Sequence, residues 1–305
     1  MTKKLGKLSK GKKKDILFYC LMLAWPVAQF LVFYIGVNGN SILMAFQNID
    51  VENNTITWTL DNFKNAFTLM TTSPLLLNAL KMSILSYVLI LGIGTPLGLL
   101  FSYYIYKKHF GSDFFKVLLF LPSIISSIVM VTIYSYFVER AIPTVANSWF
   151  GITMKGLLEN TSTRFATIIF YNIWVGFGTS TLMYSNAMAG ISPEIVESAH
   201  VDGATGFREF WHITLPMVYP TLTTFLITGI AGLFTNQINL FSFYGIGAPS
   251  DMQTYGYYLY QQTSMAASDA DYPILSAMGL ILTVVTVAIT LIARFLLEKF
   301  GPSED

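Results

Sequence analysis

Residues 82–106 read Met-Ser-Ile-Leu-Ser-Tyr-Val-Leu-Ile-Leu-Gly-Ile-Gly-Thr-Pro-Leu-Gly-Leu-Leu-Phe-Ser-Tyr-Tyr-Ile-Tyr, with no charged side chain between Lys81 and Lys107. A helix needs about 20 apolar residues to cross a bilayer, and this stretch, Met82–Tyr106, is long enough to do so with some tilt. Lipid offers no partner to a backbone N–H or C=O, so a stretch of this kind satisfies its peptide groups within itself, as a helix. Gly94 and Gly98 stand four apart and give that helix a small-residue face for close contact with a neighbour.

Five further stretches behave alike: Ile16–Val37, Val117–Phe137, Phe165–Ala187, Leu215–Phe241 and Tyr272–Ala293. The whole chain of 305 residues is 53% hydrophobic and 11% charged, against about 25% charged in soluble domains. The expected fold class is therefore an all-α integral membrane protein with six transmembrane helices. Residues 1–15 form a polybasic tail, residues 16–298 the six-helix membrane domain and residues 299–305 a C-terminal tail. The uncharged run from Ile16 to Ile49 exceeds the apolar region of a signal peptide, about 7–15 residues, so it reads as an uncleaved first helix. Pro26, Pro96, Gly92, Gly176 and Gly178 inside the spans point to kinks and close packing.

Lys and Arg fix the orientation, because loops on the cytoplasmic side carry an excess of them. Lysines 3, 4, 7, 10, 12, 13 and 14, then Lys107, Lys108, Lys116, Arg208, Arg294 and Lys299, fall on one side. Only Lys64, Lys81, Arg140, Lys155 and Arg164 fall on the other. Both termini are expected in the cytoplasm, in a bacterial plasma membrane. The middle of every expected span is free of Asp, Glu, Lys, Arg and His. Intramembrane ionisable residues carry proton relays and voltage sensing, so the energy for any active transport is expected to come from outside this chain.

Other chemistries find little support. Gly6-x4-Gly11-Lys12-Lys13 lacks the Ser or Thr of a phosphate-binding loop, and no strand precedes it. It reads as a basic tail against anionic lipid headgroups. His109, His200 and His212 fall into no metal-ligand spacing, and no Gly-x-Ser-x-Gly elbow occurs. Cys20 is the lone cysteine, so no internal disulfide or zinc cluster forms. Near-neutral net charge implies no nucleic-acid partner. No catalytic or metal site and no bound cofactor is expected on this chain.

Residues 190–216 form the longest connection between spans on the cytoplasmic side. Ser192 suits a helix N-cap, Pro193 the first helical position and Glu194 the positive end of the helix dipole. This helix should run to about Val201 and stop at Asp202-Gly203, where glycine takes the left-handed conformation of a C-terminal cap. A second short helix should run from about Gly206 to His212 and place Phe207, Phe210 and Trp211 on one face, with Leu215-Pro216 opening the fifth span. Periodicity alone leaves two readings side by side: a docking element for a cytoplasmic partner, and an amphipathic helix resting on lipid.

The pattern Glu197-Ser198-Ala199, three residues, Gly203, nine residues, Ile213-x-Leu215-Pro216 resembles the EAA loop of ABC-importer permeases. Asp202-Gly203-Ala204 resembles the carbohydrate-uptake branch of that family, of the maltose and glycerol-phosphate type. Leu118–Ser126, the Asn172-Ile-Trp174 segment with Gly176 and Gly178, and Asp61-Asn-Phe63 are similar to further elements of that branch. Ser198 departs from the usual Ala, and His200 stands where an aliphatic or basic residue is usual. The resemblance implies a coupling-helix pair at residues 190–216 that inserts into a separate ATP-binding subunit. Glu197, Ser198, Ala199, Asp202, Gly203, Ala204, Phe207, Phe210, Ile213, Leu215 and Pro216 would serve the coupling. It further implies a second homologous permease, two ATP-binding subunits that hold ATP and magnesium, and an extracytoplasmic solute-binding protein. The implied function is ATP-driven import of a sugar or oligosaccharide. The alternatives are a permease for another solute class, and a channel or secondary carrier that needs no ATPase. A sugar pathway calls for amides and aromatic rings, and Asn172, Trp174, Asn236, Gln237, Asn239 and Tyr244 are its candidates, although amides also bridge membrane helices for structural reasons.

Overall fold

The structure, a computed structural model, describes residues 10–302. Most of the basic tail, residues 1–9, and residues 303–305 of the C-terminal tail lie outside them. The chain divides into two compact units, one of residues 1–68 with 266–281 and the other of residues 69–265 with 282–305.

In the first unit α1 (Lys10–Gln29) passes through a π-helical turn over Phe30–Gly36 into α2 (Val37–Met44). The run is one helix, longer than Ile16–Val37, and the side chains from Ile16 to Val37 are exposed. A hairpin of β1 (Gln47–Asp50) and β2 (Thr55–Trp58) follows, with Gln47 opposite Trp58 and Asp50 opposite Thr55. The Asp50 carboxylate closes its turn by accepting the backbone N–H groups of Glu52 and Asn53 at 3.0 and 3.1 Å. In α3 (Asp61–Thr72), Asn62 donates its amide to the carbonyls of Ala45 and Gln47, tying the helix start to the hairpin.

The second unit is built on α4 (Pro74–Tyr106) and α8 (Arg164–Ala189), which lie against each other over much of their length. Gly98 faces α8, where an added Cβ would come within 3.4 Å of Ser180 Oγ. Between them in sequence come α5 (Ser112–Ile124), α6 (Ser127–Tyr136), a π turn over Phe137–Ala141 and α7 (Ile142–Phe150). At Gly178 a Cβ would stand 2.0 Å from the Leu119 carbonyl oxygen, so only glycine lets α5 and α8 approach this closely. Arg164, at the start of α8, makes a two-pronged ion pair with Asp251.

Among the described residues five helices are long and apolar enough to cross a membrane, and a sixth if a bent pair counts as one span. Two expected spans are corrected. Val117–Phe137 is interrupted at Ile125 and Ser126, whose ψ angles of 143° and 139° leave the helical region, and the helix long enough to span runs over Ser127–Phe150. That helix contains Glu139 and Arg140 near its middle, so the expectation of spans without central charges fails there. Glu139 is satisfied by the Leu158 N–H, which it accepts at 2.5 Å, and the Arg140 guanidinium lies over the Tyr136 ring at 5.2 Å.

Leu215–Phe241 is likewise not one helix. A helix over residues 207–217 ends at Val218, and α12 (Tyr219–Ala231) leaves it at 65°. Residues 232–239 then turn irregularly, with Ile238 and Asn239 at φ of 44° and 61°. The chain continues through α13 (Leu240–Tyr244) and α14 (Tyr255–Met265) to α15 (Tyr272–Phe300).

Candidate functional site

The connection from α8 to α12 is a folded object. Ser192 holds the N-cap position of α9 (Pro193–Val201), but its hydroxyl bonds the Glu194 carboxylate and not a backbone N–H. At the other end Gly203 has φ of 80° and donates to the His200 carbonyl at 3.0 Å, while Ala204 donates to the Ala199 carbonyl at 2.8 Å. This pair of bonds is the Schellman closure, and it caps the last free carbonyls of the helix. Ala199 faces inward, and Glu197, Ser198, Val201 and Asp202 are exposed.

Gly206 has φ of 55° and ψ of −121°, a conformation open to glycine and hardly to any other residue. Its carbonyl accepts the Tyr103 hydroxyl of α4 at 2.9 Å. From here α10 (Phe207–Glu209), a π turn over Phe210–Thr214 and α11 (Leu215–Met217) form one helical run. Phe207 and Trp211 are 70% and 56% exposed, with rings stacked 6.2 Å apart.

Phe210 does not join them outside. It is 3% exposed and packs 5.1 Å from Tyr103, in a cluster with Leu99, Tyr184, Met188, Ile191 and Val218. Positions 210 and 211 flank position 207 about 100° apart on a helix, and the burial line passes between them. Ile213, Leu215 and Pro216 are half-buried, on the inner side of the same run.

Beneath these residues lies Glu209, 1% exposed. Lys107, just past the end of α4, reaches its carboxylate at 2.5 Å, and Nε2 of His200 in α9 lies 2.9 Å from its other oxygen. Lys107 also sits over the rings of Tyr103 and Tyr106, at 5.6 and 5.3 Å. Burial works against the charged carboxylate, but the hydrogen bonds and charges of Lys107 and His200 outweigh it and hold the carboxyl below its usual range. Sequence reading missed Glu209, because nothing local separates it from its exposed neighbour Arg208. It found no role for His200, whose partner is nine residues away on another helix.

A cavity of about 220 Å³ opens among α4, α8 and α12. Tyr87, Thr95, Asn172, Ser180, Tyr184 and Asn236 supply its polar groups, and no charged side chain lines it. Of the six pathway candidates, Asn172 and Asn236 reach it. Asn172 is committed: its amide donates to the carbonyls of Ile168 and Ile238 at 2.8 and 2.9 Å, and its oxygen accepts from Asn239 at 2.8 Å. Asn239 accepts in turn from the Ser127 hydroxyl at 3.3 Å. Asn236 is exposed, and its oxygen accepts the Ile238 N–H at 2.8 Å. Gln237 is half-buried in the same turn. Trp174 packs with Tyr134 and Tyr171 in an apolar cluster, and Tyr244 joins that cluster while donating to the Leu158 carbonyl at 3.2 Å.

Residues 94–303 match the family model described as "Binding-protein-dependent transport system inner membrane component". The chain is 29% identical to the probable ABC transporter permease protein YesP of Bacillus subtilis, over 94% of this chain and 92% of that one. It is 23% identical to the multiple sugar-binding transport system permease protein MsmF of Streptococcus mutans, over 88% of this chain and 87% of that one. The fold is similar to a crystal structure of a bacterial ABC transporter involved in the import of the acidic polysaccharide alginate. That likeness has a TM-score of 0.77 at 23% identity, covering 95% of this chain and 98% of the other.

Proposed function

This chain belongs to the binding-protein-dependent transport system inner membrane component family, and from that premise we propose that it is the membrane-spanning permease subunit of an ATP-driven ABC importer for a sugar or oligosaccharide. The observation that carries the reading is the α9–α11 connection. It is stiffened by the Gly203 closure and the buried Glu209, and it turns the stacked Phe207–Trp211 pair outward. A helix pair that is rigid beneath and apolar on its exposed edge suits a groove on a partner. The partner is an ATP-binding subunit in the cytoplasm, where both termini also lie. Ser198 is exposed and small, which suits the same contact.

The assembly contains this chain, a second homologous permease, two ATP-binding subunits that hold ATP and magnesium, and a solute-binding protein on the outer side. ATP closes the ATP-binding pair, the docked helices move with it, and the membrane helices exchange inward-facing for outward-facing arrangements. Such a switch needs nucleotide to bind one arrangement better than the other. The sugar reading is supported by the sugar-transport relative and by a cavity whose polar lining is hydroxyl and amide, with aromatic rings and no charge. Asn236 is the amide best placed to meet a solute hydroxyl there.

The test is uptake of labelled sugars into proteoliposomes holding the complete complex and its binding protein. ATP-dependent sugar uptake is expected. Uptake that persists without the ATP-binding subunits would make the chain an autonomous carrier, and ATP-driven uptake of other solutes only would leave the importer and remove the sugar.

A further inference from the structure

We propose that Glu209 is a positioning residue that joins the docking helix α9 to α4, so that motion imposed on the loop reaches the cavity wall through α4 as well as through α12. This rests on the importer reading above. The loop has two routes into the membrane domain. The covalent one runs along residues 207–217 into α12, but it crosses the break at Val218, where the axis turns by 65°. A helix run interrupted at such an angle transmits displacement poorly, because the break absorbs it as bending.

The second route is unbroken. His200 on α9 and Lys107 at the end of α4 meet on the same carboxylate, at 2.9 and 2.5 Å, and that carboxylate is shielded from water. Tyr103 adds a bond from α4 to the Gly206 carbonyl. Removing one partner from a buried charge leaves the other uncompensated, which is costly. The three groups therefore move together or separate at a penalty. From Lys107, α4 runs back to Thr95 and Tyr87, which line the cavity. Twelve residues of helix at 1.5 Å each put Thr95 about 18 Å along the axis from the clamp. The neighbouring charged group Arg208 is exposed, and the ion-pair partners of the carboxylate are Lys107 and His200.

The experiment uses the complete importer in nanodiscs with Cys20→Ser as background. Spin labels at Val201→Cys on α9 and Phe110→Cys beyond α4, both highly exposed positions, report the distance between the two elements. With Glu209 intact a single narrow distance is expected, the same with and without ATP. In Glu209→Gln the distance should broaden, and solute uptake per ATP hydrolysed should fall about tenfold, within the usual range of coupling between sites. If Glu209→Gln does not assemble, His200→Ala decides, since the His200 side chain is 45% exposed and its loss severs only the α9 half; it should broaden the same distance. A distance that changes with ATP in the intact complex overturns the proposal, as does an unchanged distance and uptake ratio in either variant. An intact complex that takes up no solute with ATP counts against the importer reading instead, whatever the distances show.

Discussion

The side-chain oxygen of Asn172 in α8 accepts the amide of Asn239 at 2.8 Å, across the turn that ends the fifth span, while its own amide serves the Ile168 and Ile238 carbonyls. Every hydrogen-bonding atom of Asn172 that the turn needs is therefore engaged, and a solute would have to compete with the protein for it. The neighbouring Asn236 lines the cavity and is exposed, with its oxygen engaged by the Ile238 N–H.

The two asparagines should separate in the laboratory. Asn172→Ala strips a partner from the buried Ile238 carbonyl and should lower stability by about 1–3 kcal/mol, seen as a fall in the thermal unfolding midpoint of the detergent-purified complex. Asn236→Ala should leave that midpoint nearly unchanged and alter the apparent affinity for solute in uptake assays. Equal unfolding midpoints for the two variants would contradict this division.

Gly203→Val should uncouple hydrolysis from uptake. No atom crowds a Cβ at this position, so the damage comes from the backbone alone: a β-branched residue at φ of 80° is strained. The Schellman closure of α9 would open, and ATP hydrolysis should continue with reduced solute movement. Gly206→Ala should do the same, since its ψ of −121° at positive φ excludes alanine. Normal uptake per ATP in either variant would show that the loop tolerates rearrangement.

The aromatic residues of the loop should divide by burial. Phe207→Ala and Trp211→Ala remove exposed rings and should shift the stability of the chain by less than about 0.5 kcal/mol, while weakening retention of the ATP-binding subunit on an affinity column. Phe210→Ala opens a hole beside Tyr103 and Val218 and should cost about 3–5 kcal/mol. Its effect would appear in unfolding before it appears in docking.

Acid should loosen the loop through Glu209. The groups facing it are Lys107, His200 and Tyr103. Its pKa in the folded chain is lowered from the ordinary 4.5, so its contribution is complete above that value and is lost as pH falls through the lower folded-state value. Hydrogen exchange of the α9–α10 amides, corrected for intrinsic rates, should accelerate as pH falls below the carboxylate range. Glu209→Gln should abolish the acid dependence.

Much of this architecture is legible in the sequence. Uncharged length located most of the spans, and capping chemistry located both ends of α9, with Gly203 in the left-handed conformation expected of it. The errors have physical causes. An averaged hydropathy window sees no break at Ile125–Ser126, because Ile124, Ile125 and Ile128 outweigh the serines among them. It passes over the helix through Glu139 and Arg140, because the bonds that make those charges tolerable come from Leu158 and Tyr136. The turn at 232–239 is overlooked because the run through it is uncharged, although Gly232, Asn236 and Asn239 are turn-favouring residues; Ile238 itself has no turn preference and is held by Asn172 and Asn236. The Lys107–Glu209–His200 cluster joins the end of α4 to two helices of a loop far along the chain, and no local pattern encodes a meeting of that kind.

Ile238 carries one further consequence. A buried β-branched residue at φ of 44° sits in a sparsely populated region that costs about 1–3 kcal/mol, and hydrogen bonds from both sides hold it there. That cost is refunded whenever the segment leaves its present shape, so the wall of the cavity contains one stretch that starts uphill. The break after α12, with Ile238 two residues beyond the lining residue Asn236, is thus a hinge under tension. Amide exchange at Ile238 should then be faster than in the flanking turns of α8 and α12; equal protection would mean that the surrounding bonds cancel the tension entirely.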